Sequence, residues 1–88
     1  MDNYIIGISG SDLDTVKAYR VRGTEKKVKH HLLELVKSDR RNDPDSWDFG
    51  TEKLSDITEI DGVLYAFGSY ESYHNDYTAT PEEAPIVL

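Results

Sequence analysis

The stretch YESYHNDY, Tyr70 to Tyr77, sets three phenols, one imidazole and two carboxylates within eight residues. His74 beside Glu71 or Asp76 has the composition of a general base with an orienting acid. Such a base works only when a pocket shifts its pKa and brings it within reach of a substrate proton. No nucleophile, cofactor loop or metal frame accompanies it in the chain. Glu71-x-x-His74 repeats the spacing of helical di-metal carboxylate sites, but those need two copies on bundled helices with further glutamates, and here there is one copy. The expectation is no catalytic residue, no metal and no cofactor, with a small enzyme built on His74 as a remote alternative.

Other motifs fail on spacing. GISGSD, Gly7 to Asp12, lacks the lysine of a phosphate loop, and Ser11 stands where a nucleophile elbow needs glycine. His30 and His31 are neighbours, so on a helix they diverge by about 100° and cannot share a ligand. The acids Asp43, Asp45, Asp48 and Glu52 resemble a calcium loop until Gly50 is set at its sixth position. Trp47 then falls on the third position, where an oxygen donor is required.

What survives is a contact surface. Tyr65, Tyr70, Tyr73 and Tyr77 lie in a segment free of lysine and arginine. Tyrosine offers a large face and a hydroxyl at little cost in side-chain entropy, which is why it dominates binding surfaces. The expected partner-binding residues are Tyr70, Glu71, Tyr73, His74, Asp76 and Tyr77.

Charge sharpens the choice of partner. The chain has 88 residues and a net charge of −7. Residues 1–38 carry seven bases and five acids, 7 − 5 = +2, whereas residues 39–88 carry three and twelve, 3 − 12 = −9. An acidic chain disfavours nucleic acid, whose affinity comes largely from phosphate neutralisation. It fits another protein, with a basic groove, which the chain would inhibit or approach as a nucleic-acid mimic. The alternative is nucleic-acid contact through a local basic face: Lys17, Arg20, Arg22, Lys26, Lys27 and Lys37.

The elements that must carry these residues are readable from periodicity. Tyr4, Ile6 and Ile8 alternate along a first strand, and Thr15 to Arg22 reads as a second, joined by a turn at Gly10 to Asp14. Thr24 is a suitable N-cap, and Val28, Leu32, Leu35 and Val36 share one stripe of the helix that follows. Lys26, Lys27, His30, Glu34, Lys37 and Arg41 occupy its other side. Asp43 to Gly50 reads as a turn with Trp47 and Phe49 buried beneath it. Asp61-Gly62 is a favoured two-residue hairpin turn between strands at Ile57–Ile60 and Val63–Phe67. Gly68 is expected to mark a bulge that redirects the tyrosines beyond it.

The fold expected is α+β: an antiparallel sheet of about four strands, in the order strand, strand, helix, strand, strand, with one amphipathic helix on one face. Residues 1–80 form the domain, and residues 81–88 form an acidic, proline-containing tail. Leu, Ile, Val and Phe make up 21 of the 88 residues, enough for a thin core. The absence of cysteine, of a long apolar run and of a secretion-type start points to a cytoplasmic protein, a monomer or small homo-oligomer.

GISGSD, GTEKKVKHHLLELVKSDR, DFGTE, LYAFGSY and YHNDYTA together resemble small acidic proteins of Gram-positive bacteria and their phages. The resemblance runs from about Tyr4 to Ala79. It implies a compact accessory protein and assigns no role to any residue.

Overall fold

The computed structural model describes residues 1–11 and 17–82. Six strands and one helix follow in the order β1 (Asp2–Gly10), β2 (Lys17–Gly23), α1 (Glu25–Asn42), β3 (Trp47–Gly50), β4 (Thr58–Ile60), β5 (Val63–Tyr70) and β6 (His74–Pro81). A 3₁₀ turn, Leu54–Asp56, separates β3 from β4. The strands form one antiparallel sheet in the order β2-β1-β6-β5-β3, with β4 sharing the outer edge of β5. The fold is α+β, as the periodicity predicts, but the sheet has six strands rather than about four. The two extra strands are β3, from a segment that reads as a turn, and β6, which reads as no strand and reaches into the first residue of the expected tail.

β3 is the first of these. Trp47 pairs with Tyr70 and Phe49 with Ser69, so two steps along β3 match one along β5. This bulge cancels the usual alternation. Trp47 turns toward the helix and packs edge-on against Tyr70, while Phe49 turns to the other face and stays 62% exposed. Trp47 and Phe49 are therefore not buried together under a loop. Gly68 marks no bulge, since β5 continues unbroken through it. A side chain there would come within 3.0 Å of Trp47 and 3.3 Å of the Tyr70 ring.

β6 is the second. It lies in the middle of the sheet between β1 and β5, and Thr78 to Pro81 belong to it. Glu82 continues the pairing by donating its N–H to the Asn3 carbonyl. The remainder of the expected tail, 83–88, and most of the β1–β2 turn, 12–16, lie outside the described residues.

The local signals hold where they were strongest. Thr24 accepts the Lys27 N–H at 3.2 Å and caps α1. Asp61 and Gly62 have φ of 51° and 82°, the left-handed pair that a tight hairpin turn demands. The core lies between α1 and one sheet face: Val28, Leu32, Leu33 and Val36 from the helix meet Tyr4, Ile6, Leu64, Ala66, Tyr77 and Ala79 from the strands. His30 is exposed and His31 half-buried, on the two sides expected of neighbours. Among the described residues no helix is long and apolar enough to cross a membrane.

The helix crosses the sheet obliquely. Its first half lies over β2, where the Tyr19 hydroxyl meets His31 Nε2 at 2.6 Å. Its last turn lies over β5, β6 and β3, where Asp39 reaches Tyr77 and Arg40 reaches Trp47.

Candidate functional site

Residues paired across an antiparallel ladder share a face, so the register sorts every side chain. Tyr77, paired with Ile8 and Ala66, points to the helix. Asp76, paired with Phe67 and Ser9, points away from it. Among the described residues no element covers this second face.

The β3–β5 part of the uncovered face carries a cluster of aromatic rings. Tyr65 and Phe67 stack at 6.0 Å and 15°, and Phe49 meets Phe67 edge-on at 6.0 Å and 79°. Ile60, opposite Val63 on the same face, is 62% exposed, and Ile5 is 38% exposed. A solvated sheet face normally alternates to polar residues. A connected apolar array in that position is the usual mark of a binding surface.

One polar chain runs beside the aromatics. Tyr65 donates its hydroxyl to Asp76 Oδ1 at 2.5 Å, and Asp76 Oδ2 lies 3.3 Å from His74 Nε2. Burial, and then the hydrogen bond and charge of Asp76, push the Tyr65 hydroxyl up to about 12. The effect is to hold Tyr65 neutral and its ring fixed against Phe67.

The other tyrosines of the expected site are used differently. Tyr70 and Tyr77 are 3% and 0% exposed and face the helix. Tyr77 donates to Asp39 Oδ2, which also receives the Asn75 amide at 3.5 Å. Tyr73 donates to Asp43 Oδ2 at 2.5 Å and stacks on Tyr70 at 4.6 Å and 7°. Arg40 closes the cluster, 4.6 Å over the Trp47 ring and 3.0 Å from Glu52. Burial raises the Tyr77 hydroxyl well above its ordinary value, with the Asp39 bond and charge adding to it. Tyr70 is raised by burial first, then by the charges of Asp39 and Asp43. Tyr77 and Tyr73 anchor the last turn of α1, where two carboxylates would otherwise face the negative end of the helix dipole.

The six expected partner-binding residues therefore do not form one patch. Tyr70 and Tyr77 are core residues and Tyr73 is tied to the helix end. Glu71 is exposed in the β5–β6 turn, and His74 and Asp76 stand on the open face. The basic set divides as well. Register puts Arg20 and Arg22 on the open side and Lys17 on the helix side, while Lys26, Lys27 and Lys37 lie exposed on α1. Arg20 is paired with Glu82 at 2.8 Å.

Sequence reading missed Phe49, Ile60, Ile5 and Phe67 as surface residues. The shared face of Val63, Tyr65 and Phe67 was legible; that this face would be the uncovered one was not. Among the described residues no group of three or more His, Cys, Asp or Glu side chains is placed to hold a metal. No protein-family model, curated protein or solved structure matches the chain.

Proposed function

We propose that this chain is a small, non-catalytic binding module that captures a basic segment of another protein on the open face of its sheet. The observation that carries the reading is the array of exposed Phe49 with half-buried Phe67 and Tyr65 on a face that no element covers among the described residues. Charge selects the partner. From Asp39 to Glu82 the chain has three bases and eleven acids, 3 − 11 = −8, and of the two arginines on the open side Arg20 is already paired with Glu82. Arginine suits both parts of such a surface, because guanidinium groups stack on aromatic rings and pair with carboxylates. A segment drawn from a nucleic-acid-binding groove would make the chain an inhibitor of that groove.

An aromatic sheet face also serves to stack unpaired bases. Asp76 in the middle of the face and the net charge of −7 oppose that use. Catalysis at His74 is disfavoured by placement, since His74 lies on the open face and lines neither of the two main cavities.

Fluorescence anisotropy decides between these readings. The probes are an unstructured arginine- and leucine-rich peptide, its glutamate-substituted counterpart and a single-stranded oligonucleotide, at about 50 mM salt, where electrostatic affinity is strong. The basic peptide should bind, weaken with salt and lose about tenfold or more with Phe49→Ser and Phe67→Ser together. Preference for the oligonucleotide or the acidic peptide, or indifference to the two serines, would overturn the proposal.

A further inference from the structure

We infer that the helix side of the sheet carries a second site, a cleft between α1 and the β1–β2 hairpin that takes a small zwitterion of amino-acid size with an aliphatic body. The cleft follows from the oblique course of the helix. Ile6 and Ile8 share one face of β1, yet Ile6 is completely buried and Ile8 only half-buried. By the time α1 reaches its last turn it lies over β5 and β6, and among the described residues the corner at Ile8 is left open.

The opening is a cavity of about 280 Å³. That far exceeds the space of about 30 Å³ taken by one water. Ile8 and Leu35 supply its apolar walls and Tyr77 its floor. Asp39, Ser38, Asn75 and Lys17 complete the lining.

Two features make this a built site. The Asp39 carboxylate is held in place by Tyr77 and Asn75, and both bonds fall on Oδ2, leaving Oδ1 for another donor. Asn75 uses the space beside Gly10, its Oδ1 lying only 2.3 Å from where a Cβ on that glycine would stand. Among the described residues the lining holds one acid, Asp39, and one base, Lys17, a formal charge of +1 − 1 = 0. A lone amine would meet Lys17 and a lone carboxylate would meet Asp39. A ligand with both charges can set its ammonium on Asp39 and its carboxylate on Lys17 and Ser38, with its aliphatic body between Ile8 and Leu35.

Amide-resolved NMR titration with L-leucine up to about 10 mM tests the site, with 3-methylbutylamine and 4-methylpentanoate as single-charge controls. Leucine should give saturable shifts at Ile8, Lys17, Ser38, Asp39 and Asn75, and bind about tenfold or more tightly than either control. Lys17→Gln should weaken leucine by a similar factor and leave the amine unaffected. Ser38→Trp, at an exposed position, should fill the cleft and abolish the shifts. Unchanged Leu64 and Ala66 amides would show that both variants keep their fold. The inference fails if leucine gives no saturable shift, if either control binds as well, or if both substitutions are without effect. None of these outcomes bears on the open face, which lies on the opposite side of the sheet.

Discussion

Tyr65 and Tyr77 stand on adjacent strands of one sheet, and each gives its hydroxyl to an aspartate. On the covered face Tyr77 bonds to Asp39, 38 residues away on the helix, and ties two elements together. On the open face Tyr65 bonds to Asp76 on the neighbouring strand and holds its own ring against Phe67. The same pair of groups thus serves docking on one side and surface shape on the other. Damage to the first should appear as lost stability, and damage to the second as lost binding.

The largest contrast comes from deleting rings. Tyr77→Ala removes a fully buried aromatic and should cost about 3–5 kcal/mol in urea unfolding, while Phe49→Ala should stay within about 0.5 kcal/mol of wild type. Equal losses from the two would erase the distinction between the faces. Removing the hydroxyl alone is gentler. Tyr77→Phe leaves Asp39 without its main donor and should cost about 1–2 kcal/mol. Tyr65→Phe should cost less than about 1 kcal/mol, because Asp76 keeps His74 and partial access to water. Arg40→Ala loses a cation–π contact and an exposed ion pair, together about 1 kcal/mol, and Arg40→Lys should recover only part of it.

Alkali should give the smallest effect below about pH 10 and a growing one above it. Tyr19, Tyr65, Tyr70 and Tyr77 are all raised above their ordinary value, so the folded state favours the neutral phenol. A group raised in this sense contributes its full stability below its unfolded pKa of about 10 and loses it as pH rises through the folded value. Urea midpoints should therefore be flat from about pH 8 to 10 and fall beyond. Tyrosinate absorbance should show Tyr65 ionising near pH 12, a component that Tyr65→Phe removes. If the component that Tyr65→Phe removes titrates near 10 instead, the open-face ring is not held.

Legibility followed the range of the physics. The Asp61-Gly62 turn, the Thr24 cap and the apolar stripe of α1 depend on neighbours three or four residues apart. The turn and cap form where the local pattern puts them, and the stripe does so at Val28, Leu32 and Val36, with Leu33 buried and the expected Leu35 only half-buried. β3 was illegible because four residues with a bulge have no alternation to detect. β6 was not read as a strand because its threonines and proline look like loop residues. It becomes a central strand only when β1, from the other end of the chain, pairs along it. The tyrosine cluster looked continuous in sequence, yet a strand sends alternate side chains to opposite faces. Tyr77 and Asp76 were therefore bound to part company.

By itself the sequence determined the helix and its buried stripe, the two hairpins, the pairing of Tyr65 with Phe67 on one face and the acidic second half. These follow from backbone preference, period and charge, which act locally. Only the tertiary structure decided which face of β5 the helix would cover, and so which tyrosines became core and which became surface. It also decided that the helix would run obliquely and leave the Ile8 corner open. Both faces of β5 are apolar enough to be buried. The choice rests on long-range packing, with Leu64, Ala66, Tyr77 and Ala79 fitting beneath Leu32 and Val36.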